Sequence, residues 1–248
     1  MSAMPSSLLA AIYACASVSA LCLLASVVTR EYSWVDRIWS IIPIFYVAWF
    51  ALASGRLEPR LILMTLLVAA WGTRLTFNFI RKGGFSQGGE DYRWAELRRR
   101  MSPTAFALLN IFFISMAQNG LLLLITLPAW VAAEQGQSPL GVLDFVAAGL
   151  FILFLVGETV ADEQQWRYHS TKTAPGFLSN GLFRYSRHPN FFCEQGLWWA
   201  FYLFGLAAGA PWHNPSLAGP VLLTALFQGS TSFTESITVS KYPGYADY

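Results

Sequence analysis

The chain has 248 residues, of which 55% are hydrophobic and only 12% are charged, and its mean hydropathy is +0.44. Soluble domains carry about a quarter charged residues, so this composition excludes an ordinary water-soluble enzyme, and its hydrophobicity excludes intrinsic disorder. The net charge of +2 is too small to indicate a nucleic-acid partner.

Seven apolar stretches, each close to the roughly 20 residues that cross a bilayer as a helix, predict an all-α polytopic membrane bundle. The first lacks the basic start of a signal peptide, so it is interpreted as a retained helix. We expect one integral membrane domain over residues 1–248, with the first helix and loop in 1–33 and the rest in 34–248. The stretches run near Leu8–Val28, Trp34–Ala53, Leu61–Ile80, Thr104–Val131, Leu140–Ala161, Phe191–Ala210 and Leu217–Phe233.

Basic residues are concentrated in alternate loops. There is no Lys or Arg between the fourth and fifth stretches, nor between the sixth and seventh. The positive-inside rule then predicts an external amino terminus and a cytoplasmic carboxyl terminus, with the two basic loops and the tail on one face. The basic residues of these loops are Arg81, Lys82, Arg93, Arg98, Arg99 and Arg100 in one, and Arg167, Lys172, Arg184 and Arg187 in the other.

The densest polar region lies between the fifth and sixth stretches. Three potential cations are followed by the start of a helix, and arginine forks and helix N-termini both bind phosphate oxygens. The nearby carboxylates of Asp162 and Glu194 and the amide of Asn190 could form hydrogen bonds with the ribose hydroxyls or the carboxamide of a nucleotide. The alternative is a juxtamembrane loop held to anionic lipid. The polar side chains concerned are Glu158, Asp162, Arg184, Arg187, His188, Asn190 and Glu194.

The segment Gly181–Glu194, followed by Trp198 and Trp199, resembles the signature of the bacterial branch of the steroid 5-alpha-reductase C-terminal-domain-like family, which is related to the isoprenylcysteine carboxyl methyltransferases. Cys193 stands where that family usually has glycine. Other pieces resemble family motifs in the same order, from about residue 34 to the end. These pieces are Val35–Trp39, Trp71–Leu75, Gly89–Trp94, Ala161–Gln165, and Glu235 with Lys241–Tyr245.

This resemblance implies a membrane reductase, in the bacterial inner membrane, that uses NADPH to reduce a carbon–carbon double bond of a lipophilic, steroid- or isoprenoid-like substrate. The sequence has no Gly-x-Gly-x-x-Gly fingerprint, so its dinucleotide site is expected to be unlike the Rossmann type. The cofactor-binding residues carried over by position are Asp162, Arg184, Arg187, His188, Asn190, Glu194 and Glu235, with Arg74, Asp91, Tyr92 and Arg93 as further candidates.

The chain departs from the steroid-reducing members near the substrate. Those members place a glutamate and a tyrosine beside the substrate oxygen, whereas Trp71 lies near the position of that tyrosine in the third stretch. Asp36 is the nearest acidic residue and is the candidate catalytic group. A steroid substrate therefore does not follow. His169 and His213 have no partner at ligand spacing, so no metal site is expected.

Two other functions remain open. A membrane methyltransferase that uses S-adenosylmethionine would share the arginine-histidine-proline motif and the glutamate-rich end of the cofactor site. The longer Arg184–Asn190 string, together with Glu90–Arg93, favours the reductase. The third alternative is a non-enzymatic protein that binds lipid.

Overall fold

The computed structural model of the chain describes residues 5–56, 58–136, 138–171 and 176–248, so Lys172 lies outside the described residues. The chain is 79% helical, and the described residues contain no β-strand. The predicted all-α helical bundle is therefore confirmed.

The main helices, numbered in chain order, alternate with short connections. A π-helix, Leu109–Ala117, joins α6 to α7 without a break. The helices are α1 Ser6–Thr29, α2 Trp34–Ile38, α3 Ile42–Ala53, α4 Pro59–Arg81, α5 Tyr92–Arg100, α6 Pro103–Leu108, α7 Gln118–Glu134, α8 Val142–Thr171, α9 Pro189–Ala207 and α10 Ala218–Lys241.

Within the part of the chain that the structure describes, four helical segments are long and apolar enough to cross a membrane: α1, α4, the continuous segment Pro103–Glu134, and α8. Seven membrane spans, as the sequence predicts, are not shown: α3 is a shorter apolar helix of 12 residues, and α9 and α10 are not among the four. The chain therefore has the character of a membrane protein, as its composition indicates.

The second predicted stretch is not one helix. It is interrupted at residues 39–41, between α2 and α3, so the expectation of a continuous helix over Trp34–Ala53 is wrong. Pro43 accounts for the break, because proline has no N–H to donate to the preceding turn and its ring crowds that turn. The hydroxyls of Ser40 and Thr76, 2.8 Å apart, hydrogen-bond across this break and join it to α4.

Two helices continue beyond their predicted ends. α8 runs to Thr171 instead of Ala161, and α10 runs to Lys241 instead of Phe233. Hydropathy marks only the part of a helix that lies in lipid, whereas the backbone remains helical where the sequence becomes polar. These extensions place Asp162 and Glu235 on rigid helices instead of loops.

The core lies among α3, α4, α7, α8 and α9. Its largest fully buried side chains include Trp71, Trp198, Phe151 and Phe201. α8 and α9 pack closely because glycine permits it: a methyl group at Gly196 would overlap the ring of Phe154.

Contacts between the connections show that the basic loops share one end of the bundle, as predicted. Arg37 donates to the carbonyl of Gly84 at 3.2 Å, and Arg81 pairs with Glu163 at 2.6 Å. We call this the basic end. Arg60 and Asp144 meet at the opposite end, where α4 and α8 begin.

Candidate functional site

A cavity of about 580 Å³ lies within the basic end of the bundle. Its volume falls in the range of small-molecule and cofactor sites. Aromatic side chains form much of its wall: Trp39, Phe79, Trp94, Phe113, Phe191, Phe227 and Phe233. Its polar and charged lining comprises Asp36, Ser40, Asn78, Lys82, Asp91, Arg93, Gln118, Glu158, Asp162, Asn190, Glu194 and Ser230.

Arg74 organises one side of the cavity. It forms ion pairs with Glu158 and, at 2.5 Å, with Asp162. These two acids are four residues apart on α8 and therefore share one helix face. Glu194 of α9 lies within electrostatic range of the same guanidinium. We call these four residues the Arg74 cluster, and it joins α4, α8 and α9.

The carboxylate of Glu194 is held by two tryptophans. The indole N–H of Trp71 donates to one oxygen at 2.8 Å, and that of Trp198 donates to the other at 3.0 Å. Both rings are fully buried and pack edge to face, with 4.9 Å between centroids. A buried carboxylate is costly unless hydrogen-bonded, so this pair fixes Glu194 in place.

Lys82 follows the last turn of α4, and its side-chain amino group lies at the edge of the cavity. Its Nζ lies 3.6 Å from Asp162, and its side chain is 35% exposed. Burial lowers the pKa of Lys82, and attraction to Asp162 opposes that shift. An anionic group bound beside Lys82 would therefore favour its charged form.

A cap formed by the loop before α5 and by α5 itself covers the cavity from the basic end. The backbone N–H of Asp91 donates to the Ser33 hydroxyl at 2.9 Å, and the Trp94 indole donates to Asp36 at 2.8 Å. Arg93 forks onto Asp91 and also donates to Ser230 of α10 at 2.7 Å. The cap is thus joined to both sides of the cavity.

Arg187 and His188 form a separate latch beside the cavity. They contact the two carboxylate oxygens of Glu235 at 2.8 and 3.1 Å. Arg187 also lies over the ring of Tyr245. Burial lowers the pKa of His188, and Glu235 only partly offsets it. The latch holds the carboxyl-terminal segment, and His188 stacks on Phe191, which lines the cavity.

The structure gathers half of the predicted site residues around the cavity. Arg74 does not line the cavity but pairs with two acids that do. The latch contains three more of the predicted residues, Arg187, His188 and Glu235. Arg184 and Tyr92 are exposed at the surface. The predicted residues that line the cavity are Asp36, Asp91, Arg93, Asp162, Asn190 and Glu194.

The sequence singles out Glu158 with Asp162 by their spacing of four, but Glu158 is absent from the predicted cofactor-binding residues although it lines the cavity. Gln118, an amide inside an apolar helix, also lines the cavity and is not among the predicted site residues. The roles of Trp71 and Trp198 had no signal apart from the family motifs. Among the described residues, no group of three or more His, Cys, Asp or Glu is placed to hold a metal ion.

Comparison with known proteins gives a family and a relative. The family described as "Protein of unknown function (DUF1295)" matches residues 22–248. "Uncharacterized protein C594.04c" of the fission yeast Schizosaccharomyces pombe is 38% identical over 246 residues, covering 90% of this chain and 72% of the relative. No solved structure matches. With nearly its whole length matched, the chain belongs to the DUF1295 family.

Proposed function

We propose that this chain is a membrane oxidoreductase that binds NADPH at its basic end and reduces a carbon–carbon double bond of a lipophilic substrate. One observation carries the proposal. Residues that the sequence analysis predicts for the site come from four separate segments of the chain, and they meet around one cavity: Asp36, Asp91 and Arg93, Asp162, and Asn190 with Glu194.

The residues at the cavity fit a dinucleotide. Lys82 and Arg93 supply cations for phosphate oxygens, and the start of α9 supplies backbone N–H groups. Asn190 lines the cavity, and among the described residues its side-chain amide has no hydrogen-bond partner. An amide of this kind suits a carboxamide or a ribose hydroxyl.

NADPH supplies a hydride when bound. The chain's own residues would exclude water, position the reacting groups and transfer a proton. The aromatic wall excludes water and accepts an apolar substrate. The Arg74 cluster, which joins α4, α8 and α9, keeps its three acids in fixed positions. Asp36, oriented by the Trp94 indole and facing the cavity, is the candidate for the group that transfers a proton.

A methyltransferase that uses S-adenosylmethionine is the second candidate, and the charge of the cavity favours it. Five carboxylates line the cavity, namely Asp36, Asp91, Glu158, Asp162 and Glu194, against the cations of Lys82 and Arg93. An acidic cavity suits the positive sulfonium of that cofactor. A lipid-binding protein without a cofactor is the third candidate.

The orientation is also part of the proposal. An amino terminus outside and a carboxyl terminus in the cytoplasm would open the basic end to cytosolic NADPH. Placement in a bacterial inner membrane rests on the resemblance alone, and the relative in fission yeast indicates that such chains are not confined to bacteria.

Thermal unfolding in detergent with NADPH or S-adenosylmethionine tests the function. A ligand at 100 times its Kd adds about 2.7 kcal/mol to the free energy of unfolding, so we expect NADPH to raise Tm. Lys82→Met should weaken NADPH about tenfold by removing a charged contact.

Lys241→Met is the matched control, because Lys241 is exposed at the end of α10 and does not line the cavity. Stabilisation by S-adenosylmethionine alone would establish the methyltransferase instead. If neither cofactor shifts Tm, the enzyme proposal fails and the lipid-binding alternative stands.

A further inference from the structure

Three consecutive arginines end α5, the helix of the cap. The side chains of Arg98, Arg99 and Arg100 are 44%, 71% and 44% exposed. The carboxylate of Glu96 accepts hydrogen bonds from both Arg99 and Arg100. The partner of Arg98 is Glu90, at 3.5 Å. Because two guanidiniums share one carboxylate, the three arginines carry more positive charge than their partners neutralise.

Each of these guanidiniums keeps N–H groups that its protein partners do not use. In the part of the chain that the structure describes, Arg100 donates to Glu96 through Nε alone, and Arg99 donates through Nε and one of its two terminal nitrogens. Arg98 makes one long contact from a terminal nitrogen. A guanidinium binds phosphate oxygens through such N–H groups, so the arginine run suits a phosphate ligand.

The arginine run lies at the border of a membrane-spanning segment. The hydroxyl of Ser102 caps the next helix by accepting from the backbone N–H of Ala105 at 3.3 Å. Pro103 begins the apolar segment Pro103–Glu134, which is long enough to cross a bilayer. The three arginines immediately precede this segment, so they lie at the level of the lipid headgroups, just outside the hydrocarbon core.

The same helix covers the cavity with its other end. There, Trp94 donates to Asp36, and Arg93 donates to α10. The Arg100 guanidinium lies 5.5 Å from the centroid of the Phe233 ring, and Phe233 lines the cavity. α5 has nine residues without a break, so the position of its carboxyl-terminal arginines determines the position of the residues that cover the cavity.

We propose that Arg98, Arg99 and Arg100 bind the phosphate groups of anionic lipids and thereby hold the cap in place over the cavity. An anionic headgroup neutralises the surplus positive charge of the arginines, whereas a zwitterionic headgroup brings a cation of its own. The level of the arginines at the membrane border favours a lipid as the source of the phosphate. The inference does not depend on which ligand the cavity holds.

The arginines also suit the carboxyl end of α5 without any lipid. Cations at that end interact favourably with the helix dipole, and exposed pairs such as Glu96 with Arg99 contribute little. That effect is the same in every lipid, whereas binding to headgroups depends on their charge. A dependence on headgroup charge therefore separates the two roles.

The test compares the full chain, free of cofactor, in nanodiscs of phosphatidylcholine alone and in nanodiscs that also contain phosphatidylglycerol. Native mass spectrometry of the released protein identifies the lipids that it retains, and hydrogen exchange measures the protection of the cap over residues 89–97. We expect phosphatidylglycerol to be retained about tenfold over phosphatidylcholine. We also expect it to slow hydrogen exchange in the cap.

The double change Arg99→Gln with Arg100→Gln removes two of the charges and keeps a good helix former at each position. It should abolish most of the preference for phosphatidylglycerol and the added protection of the cap. Arg167→Gln with Lys241→Gln is the matched control. It removes the same charge at the same end of the bundle, but both residues lie on the extensions of α8 and α10 beyond their apolar parts. The control should alter neither quantity.

Three results would overturn the proposal: equal retention of the two lipids by the wild type, an equal loss of preference in the control variant, or a lipid preference without added protection of the cap. Glycerol phosphate added to phosphatidylcholine nanodiscs tests a free phosphate as the ligand. If it protects the cap as phosphatidylglycerol does, the arginines form a site for soluble anions and the lipid proposal is wrong. These outcomes are independent of the cofactor test.

Discussion

Replacing Arg60 by methionine is expected to lower the free energy of unfolding by about 3–5 kcal/mol. The Arg60 side chain is 2% exposed and that of its partner Asp144 is 1% exposed. The guanidinium forks onto both carboxylate oxygens at 2.7 and 2.9 Å and also donates to Ser138 and to the carbonyl of Ala207. Its loss leaves a buried carboxylate without a counter-charge, and denaturant titration followed by circular dichroism measures the cost.

Arg56→Met is the matched control, because Arg56 is exposed at the same end of the bundle. The double change Arg60→Met with Asp144→Leu should recover much of the loss, since it removes the unpaired charge as well. NADPH affinity should stay at the wild-type value, because Arg60 lies at the end opposite the cavity. A loss below about 1 kcal/mol would show that this pair does not hold α4 against α8.

Arg74→Met is expected to lower the free energy of unfolding by about 3–5 kcal/mol as well. In addition, it should weaken NADPH binding more than tenfold. The substitution leaves Glu158 and Asp162, each only 5% exposed, without their shared arginine. Lys82, 3.6 Å from Asp162, compensates only in part. The acids would repel one another and distort one side of the cavity. Denaturant titration and cofactor titration measure the two effects separately.

Arg167→Met is the control for this change, because Arg167 pairs with Glu163 on the surface and is 77% exposed. It should alter neither quantity appreciably. Arg74→Lys should not restore the wild type, because one ammonium cannot replace a planar fork that pairs with two carboxylates. If the Arg74→Met protein has wild-type stability and NADPH affinity, the Arg74 cluster neither stabilises the bundle nor shapes the cavity.

Much of the architecture follows from hydropathy and charge. Long apolar stretches predict helices because lipid leaves backbone groups no other partner, and the alternation of basic loops predicts which connections meet at one end. The convergence of Asp36, Asp91, Asp162 and Glu194 follows from that shared end, because each lies close to the end of a predicted apolar stretch or in a loop on the same side.

Other features depend on contacts between distant segments. Arg187 resembles a phosphate ligand in the sequence, but α10 extends past its apolar part and presents Glu235, which pairs with Arg187. The π-helix that turns Gln118 toward the cavity has no pattern that hydropathy can detect. The indole partners of Glu194 come from α4 and α9, so only their packing shows that Trp71 and Trp198 serve a carboxylate.

Photolabelling with an azido derivative of NADP⁺, followed by peptide mapping, tests most directly whether the cavity at the basic end holds the nucleotide. We expect cross-links within residues 82–97, 189–194 or 225–233, which contribute to the cavity wall, and we expect excess NADPH to prevent them. Labelling elsewhere, such as around Arg60, or labelling that excess NADPH does not reduce, would contradict the account.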